Sequence, residues 1–205
     1  MHVFVESNFI LELAFQQEDY LACEQIVAGA RAGHYTLHVP QYALAEVFEV
    51  LRRKRQDRTE YQEYVLKEIE QSRREATSDP ATADELTRLL GDLLTGRTLA
   101  QSSRVFALVA QLAEHAPGPA LTATVAAEAE AAQTTHRLSV QDALVWASVL
   151  QGLRELPPEA PKRLVTRNDS DFNKPSTRQE LTAVGCKLIS SFSGAAAQLK
   201  HTTGR

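Results

Sequence analysis

The chain has 205 residues, is 43% hydrophobic and 23% charged, and carries a formal net charge of −4. These values are typical of a globular protein that buries a full core, and they exclude a uniformly basic nucleic-acid coat protein. Cys23 and Cys186 stand far apart without a C-x-x-C or Cys/His cluster, so neither a disulfide framework nor a zinc site is predicted. No secretory signal and no apolar run of ~18 residues is visible, so we expect a cytoplasmic protein that makes no membrane contact.

The N-terminal third alternates strands with helices. Residues 3–5 predict a short strand buried on both faces, and residues 8–15 and 18–32 predict helices, the second ended by Gly33. Residues 35–39 predict a second strand, which Pro40 ends. An apolar stripe from Gln41 predicts a helix that becomes basic at residues 51–58; beyond Thr59 a second, polar helix is expected to about residue 74.

The rest of the chain predicts helices and then strands again. Helices are expected at residues 83–94, 99–115, 121–136 and 139–153, with Gly96 separating the first two, and a short helix at residues 177–183. Strands are expected at residues 163–166 and 186–190, and a tail with little periodicity, expected to fray, at residues 191–205. This order predicts one α/β domain over residues 1–190, with a parallel sheet of about four to five strands and a helical insertion at about residues 76–115.

Several carboxylates follow predicted strands or begin predicted helices. Glu6 ends the first strand, Glu46 lies in the second turn of the helix after the second strand, and Asp142 lies in the first turn of the buried helix. Asp169 and Asp171 follow the third strand. Because ligands of open α/β sheets bind at the carboxyl ends of the strands, these acids are candidates for one shared site.

Each acid also has an ordinary structural interpretation. Glu6 could bond a nearby backbone N–H, and Glu46 could lie on an exposed charged helix face. Asp142 falls in the sequence "SVQD", which fits the S-x-x-D capping box. Asp169 and Asp171 stand in a loop where Asp commonly makes turns. No single position decides between a structural and a functional role.

The set of acids favours a metal site. Carboxylates brought together repel one another and raise each other's pKa unless a cation lies among them. Oxygen ligands of this kind suit Mg²⁺ or Mn²⁺, which also bind substrate phosphates. Such ions lower the pKa of a bound water and stabilise the charge that develops in phosphodiester hydrolysis. The acids therefore predict phosphate-directed, metal-dependent chemistry.

Four segments, in chain order, resemble the PIN domain family of nucleases, which includes toxins of bacterial toxin–antitoxin pairs. "VFVESNFILELAF" is similar to the family's strand, D-[TS]-N and helix, and "HVPQYALAEVFEVL" to its strand, Pro and helix with Glu. "LSVQDALVWASVL" is similar to its buried helix with Asp, and "LVTRNDSDF" to its strand, T-[RN]-[ND] and D-F ending. The resemblance covers both ends of the chain and implies a PIN-like three-layer fold.

The resemblance also implies an activity and its residues. It implies a Mg²⁺- or Mn²⁺-dependent endoribonuclease, which could be a toxin. The implied metal-binding and catalytic residues are Glu6, Glu46, Asp142 and Asp171. Asp169 would replace or assist Asp171. Polar residues beside the acids would orient the ligands; these are Ser7, Asn8, Thr166 and Asn168. RNA and an antitoxin-like protein are the implied partners, and a homo-oligomer is compatible with the family.

Two features depart from the family's pattern. Its first acid is usually Asp, whereas Glu6 stands here, and the segment from Glu46 to Asp142 is longer than in the compact toxins. Glu moves the carboxylate out by up to about 1.5 Å, and a 1 Å misplacement can cost about 100-fold in rate. The alternative is therefore a PIN-fold module with impaired catalysis that binds RNA or protein. A phosphohydrolase of another doubly wound family is less favoured, because "ESN" stands where one such family has D-x-D.

A basic stretch occupies the later part of the helix that carries Glu46. It comprises Arg52, Arg53, Lys54, Arg55 and Arg58. It is either a solvated helix face, neutralised by nearby acids, or a patch that binds RNA phosphates or an antitoxin-like partner. Tyr61 and Tyr64 follow it and could stack on bases, although tyrosines at this spacing more often pack.

Overall fold

A computed structural model describes residues 1–75 and 79–201 of the chain, with the side chain of residue 201 left out. Its contacts divide the chain into two compact units: unit 1 contains Met1–Val47 and Ala107–Arg205, and unit 2 contains Phe48–Phe106. No helix among these described residues is both long enough and apolar enough to cross a membrane. Cys23 and Cys186 are both buried free thiols.

Unit 1 is built on one parallel sheet. Within the described residues this sheet has four strands in the order β2-β1-β3-β4, namely β1 (His2–Val5), β2 (Thr36–His38), β3 (Lys162–Val165) and β4 (Cys186–Ile189). Val5 of β1 pairs with Val165 of β3, so the two central strands end at the same level. The predicted α/β class and parallel sheet are confirmed, and the next residues, Glu6 and Thr166, leave the sheet side by side.

Helices cover this sheet and bury its central strand β1. Val3, Phe4 and Val5 of β1 are at most 1% exposed, as expected of a strand with apolar residues on both faces. The helices are α1 (Ser7–Phe15), α2 (Tyr20–Arg31), α3 (Gln41–Ser72), α4 (Pro80–His115), α5 (Ala123–His136), α6 (Val140–Glu155), α7 (Asp169–Phe172), α8 (Pro175–Ala183) and α9 (Phe192–His201). In unit 1, α5 packs on α6 and α2 packs on α9.

Helix α6 is largely buried within unit 1. Trp146 is 1% exposed, and its ring lies 5.4 Å from that of Phe172 and 5.9 Å from that of His136, measured between centroids. The helix begins where Ser139 accepts a hydrogen bond from the backbone N–H of Asp142. The predicted buried helix and its N-cap at Ser139 are therefore confirmed.

Unit 2 is a helical hairpin over Phe48–Phe106, whereas the helical insertion was predicted at about residues 76–115. The part of α3 from Phe48 onward packs antiparallel against α4, with the Phe48 and Phe106 rings 5.0 Å apart. Thr59 and Gly96 do not end helices, because α3 and α4 are continuous through them. A glycine inside a helix costs about 1 kcal/mol, which packing along a long hairpin offsets. Residues 76–78 of the predicted insertion lie outside the described residues.

The C-terminal segment is ordered further than the prediction of a frayed tail allowed. Residues Phe192–His201 form α9. Phe192 is fully buried and its ring meets that of Phe9 edge to face at 5.5 Å between centroids. This packing stabilises a helix whose weak periodicity gave no clear signal. Residues 202–205 of the predicted tail lie outside the described part of the chain.

Candidate functional site

Glu6 is a buried carboxylate at the carboxyl end of the central strand β1. Its side chain is 3% exposed. Oε2 accepts hydrogen bonds from the backbone N–H of Asn8 at 2.8 Å and from the Ser7 hydroxyl at 3.2 Å. Glu6 is thus the N-cap of α1, which is the structural role that its position after the strand allowed. Asn8 reaches Glu6 through its backbone and not through the side chain that the sequence singled out.

The pKa of Glu6 is raised to about 7. Burial is the largest cause, because desolvation disfavours the charged form, and the negative charge of Glu46 acts in the same direction. Hydrogen bonds from Asn8, Thr166 and Ser7 favour the carboxylate and oppose this rise. Near neutral pH Glu6 is therefore poised between its protonated and ionised forms.

A chain of hydrogen bonds links Glu6 to Asp142. Thr166 donates its hydroxyl hydrogen to Glu6 Oε1 at 3.0 Å and accepts one from the backbone N–H of Asn168 at 2.8 Å. The Asn168 side-chain amide then donates to Asp142 Oδ1 at 2.8 Å. The segment after β3 therefore contacts acids that come from opposite ends of the sequence.

Asp142 combines a capping role with this contact. Ser139 donates its hydroxyl hydrogen to Asp142 Oδ2, and Oδ1 receives the Asn168 amide. Because α6 begins here, the carboxylate lies in the first helical turn, where a negative charge is favoured by the helix dipole. The cap fixes the side chain in the direction of the segment after β3.

Glu46 approaches the same group of residues from α3. Its charge raises the pKa of both Glu6 and Tyr42, and the charge of Asp142 also raises that of Tyr42, after burial as the first cause. The Tyr42 phenol therefore lies within electrostatic reach of two acids. Sequence reasoning did not single out Tyr42, although it stands one helical turn before Glu46 and would share its helix face.

Asp169 and Asp171 are held by neighbours on α7 and just beyond it. Asp171 forms an ion pair with Lys174 at 3.0 Å, and Lys174 also donates to the backbone carbonyl of His136 at 2.9 Å. Asp169 accepts the Asn173 side-chain amide at 2.6 Å. Lys174 was missed in the sequence, although its i+3 spacing from Asp171 on a polar segment is a usable signal.

Arg167 places a positive charge directly after Thr166. Its guanidinium lies 2.9 Å from Glu12 and 3.4 Å from Asp19, measured between nitrogen and carboxylate oxygen. Glu12 is buried, so this pair holds α1 to the segment that carries Thr166 and Asn168. Sequence reasoning did not identify this contact, because Glu12 and Arg167 are far apart in the chain.

The donor chemistry of the site fits a hard divalent cation. Glu6 is desolvated next to the charge of Glu46, and both acids offer oxygen ligands of the type that Mg²⁺ and Mn²⁺ prefer. Among residues 1–75 and 79–201, however, no three His, Cys, Asp or Glu side chains form a group that could hold a metal ion as they stand.

The predicted basic stretch lies in unit 2, where its members differ in their partners. Arg52 pairs with Glu49 at 2.7 Å on the exposed face of α3. Arg55 and Arg58 turn toward α4, where Arg55 bonds Ser102 and Arg58 bonds Thr98 at 3.0 Å. Arg53 is exposed. The stretch therefore divides into a neutralised part and a part that faces the partner helix.

Comparisons with models of protein families, with curated proteins and with solved structures found no match for this chain.

Proposed function

We propose that the protein is a metal-dependent endoribonuclease with a PIN-like three-layer fold. The observation that carries this proposal is the hydrogen-bonded chain from Glu6 through Thr166 and Asn168 to Asp142. It joins three of the four motifs that resemble the family at the carboxyl end of the parallel sheet, which is where open α/β sheets bind their ligands. RNA is the proposed substrate, and an antitoxin-like protein is a proposed partner.

Glu6, Glu46 and Asp142 are the proposed metal ligands, with Asp171 or Asp169 completing the set. When bound, Mg²⁺ or Mn²⁺ supplies a water of lowered pKa and charge stabilisation for the phosphodiester. Glu6 would act as a ligand in its ionised form, which the hydrogen bonds from Asn8 and Thr166 favour. Asp171 would act as a ligand only without its ion pair to Lys174.

Thr166 and Asn168 act as positioning residues. Thr166 fixes Glu6 Oε1, and Asn168 fixes Asp142 Oδ1, so each acid keeps one oxygen oriented by a neutral donor. The other oxygens of the two acids are held by Ser7 and Asn8 and by Ser139. Such fixed orientation is what metal ligands need from the residues behind them.

A second candidate function is an RNA- or protein-binding module with an impaired site. It is favoured by the capping role of Glu6, whose two oxygens accept three hydrogen bonds from Ser7, Asn8 and Thr166. A carboxylate engaged in this way completes its local structure without a metal. On this alternative, the same fold would retain binding and lose hydrolysis.

Cleavage of single-stranded RNA with Mn²⁺ present or chelated tests the proposal. The wild type is expected to cleave only with metal, and Asp142→Asn and Glu6→Gln are expected to abolish cleavage. Asp92→Asn is the matched control, because Asp92 is an exposed carboxylate paired with Arg88 on α4. Absence of cleavage by the wild type across varied RNAs, with RNA still bound, would establish the binding module instead.

Glu6→Asp is a further variant for the same assay. A higher rate than the wild type would show that the longer side chain misplaces the carboxylate. A loss of activity would show that the site is fitted to Glu at this position.

A further inference from the structure

A groove between the two helices of unit 2 is lined by two arginines of α3. It has a volume of about 450 Å³, and Arg55, Arg58 and Gln62 of α3 line it together with Leu94 and Leu99 of α4. Thr59, Thr95 and Thr98 complete the lining. Arg97 stands on α4 within electrostatic reach of Arg58. We call this feature the arginine groove; it lies wholly within unit 2.

The arginines of this groove are held by neutral side chains. Arg58 donates to Thr98 at 3.0 Å and to Gln101, and Arg55 donates to Ser102. No carboxylate of the described residues lies within ion-pair distance of Arg55, Arg58 or Arg97. Threonine, serine and glutamine orient a guanidinium, but they do not neutralise its charge.

Three other arginines of unit 2 are paired with acids. Arg52 pairs with Glu49, Arg88 with Asp92, and Arg73 with Glu70 and Asp84. Ion pairs thus neutralise some guanidinium groups of unit 2, whereas Arg55 and Arg58 of the groove are held by neutral partners. Burial and the nearby charge of Arg97 both lower the pKa of Arg58. Like charges therefore lie close together here, and a bound anion would reduce their repulsion.

Basic and acidic residues are also distributed unevenly along the hairpin. Residues 48–58 and 97–106 contain seven basic and two acidic residues, whereas residues 59–94 contain four basic and nine acidic residues. The arginine groove lies at the junction of the two regions, next to the basic one. An anionic ligand would therefore be drawn toward one end of the hairpin.

We propose that the arginine groove binds consecutive phosphates of a single-stranded RNA backbone. Taking RNA as the ligand rests on the proposed function. The forked donors of Arg55 and Arg58 match phosphate oxygens, and their neutral partners hold the forks in place before the ligand arrives. Tyr61 is 59% exposed one turn after Arg58 and offers a surface on which a base stacks.

Binding of labelled oligouridine by fluorescence anisotropy, in the Asp142→Asn background of the full chain, tests this inference. Arg97→Gln is the first variant, because no hydrogen bond or ion pair joins Arg97 to another described residue and its removal leaves the hairpin contacts intact. The double variant Arg58→Gln/Arg97→Gln is the second. Arg52→Gln and Arg88→Gln are matched controls that remove arginines already paired with acids.

Arg97→Gln is expected to weaken binding several-fold, and the double variant to weaken it more. The slope of log affinity against log salt should become shallower by about 0.7 for each RNA phosphate that the protein no longer neutralises. The controls are expected to change affinity less than twofold. Equal reductions of affinity in the controls and the groove variants, or unchanged affinity in the groove variants, would overturn the inference. So would displacement of the RNA by polyglutamate at equal charge concentration, which would indicate an acidic protein as the ligand.

The two proposals fail in different ways. If wild-type protein cleaves no RNA while the groove variants still bind more weakly, the endoribonuclease proposal fails and the arginine groove stands. If wild-type protein cleaves RNA and the groove variants bind and cleave equally well, only the groove inference fails. Thermal melting of each variant, followed by circular dichroism, checks that the hairpin is folded.

Discussion

The Thr166 hydroxyl lies 3.0 Å from Glu6 Oε1, although 160 positions separate the two residues. The contact follows from the register of the sheet. Val5 of β1 pairs with Val165 of β3, so the residues that follow them, Glu6 and Thr166, lie side by side. Glu6 is thus hydrogen-bonded at once to the helix that it caps and to the strand beside it. A substitution at either residue is therefore expected to affect the other.

Thr166→Val is expected to raise the pKa of Glu6 further and to lower the free energy of unfolding by about 1–3 kcal/mol at pH 8, because a buried carboxylate loses a donor. Thr177→Val is the matched control: Thr177 is equally buried, but its hydroxyl bonds backbone carbonyls. It should reduce stability without moving the pKa of Glu6. Urea denaturation and a carboxyl-carbon NMR titration measure the two quantities, and an unchanged pKa in Thr166→Val would contradict the role assigned to this hydroxyl.

The stability of the metal-free protein is expected to fall as pH rises toward neutrality. The pKa of Glu6 is about 7 when folded and 4.5 in its unperturbed state. Between these values the folded state retains a proton that the unfolded state has released, so the free energy of unfolding decreases with rising pH. The full decrease is about 3 kcal/mol; it is absent below pH 4.5 and complete above pH 7.

Urea denaturation at several pH values in the presence of a chelator measures this dependence. Glu6→Gln should flatten it, because glutamine does not titrate. Parallel curves for the wild type and Glu6→Gln would show that Glu6 does not retain the proton.

Mn²⁺ is expected to raise the melting temperature of the wild type, because a ligand that binds only the folded state stabilises it by about 2.7 kcal/mol at a hundred times its Kd. Asp142→Asn should lose this effect. Asp171→Asn should lose less of it, because Lys174 already neutralises Asp171. Differential scanning fluorimetry with and without Mn²⁺ separates these cases, and stabilisation of Asp142→Asn equal to that of the wild type would exclude Asp142 as a ligand.

Two helical glycines are expected to respond oppositely to alanine. A Cβ at Gly152 would lie 2.4 Å from Pro119 Cγ and 2.8 Å from Phe4 Cε1, so Gly152→Ala should destabilise unit 1 by about 1–3 kcal/mol. A Cβ at Gly96 would meet nothing within 4 Å, so Gly96→Ala should stabilise α4 by about 0.5–1 kcal/mol. Thermal denaturation of both variants measures the difference, and equal effects would contradict the close packing at Gly152.

The strands and several helix ends were predictable from the sequence because local chemistry determines them. All four strands lie within one residue of their predicted bounds, since turn residues lie near most of their ends. Gly33 follows the end of α2 with a φ of 75°, as a glycine after a helix end should. Ser139 caps α6 as the capping box indicates.

The long helices and the partners of the acids were not predictable in the same way. Gly96 was predicted to separate two helices because glycine lowers helix stability locally. The packing that offsets this loss comes from α3, which is distant in the sequence. The contacts of Glu6 with Thr166 and of Asp142 with Asn168 agree with the expected position of these residues beside the acids. The ion pair of Asp171 with Lys174 was not expected, because the resemblance that singled out the acid says nothing of its neighbours.

The position of β3 also determines when the site is completed during synthesis. β1 is made before its partner β3, which comes more than 150 positions later together with the residues after it. The hairpin of unit 2 closes through contacts that are much nearer in sequence, and it can fold while the chain is still growing. On the proposed function, the group of acids is complete only after β3 and the residues that follow it have been made, so translation itself delays activity.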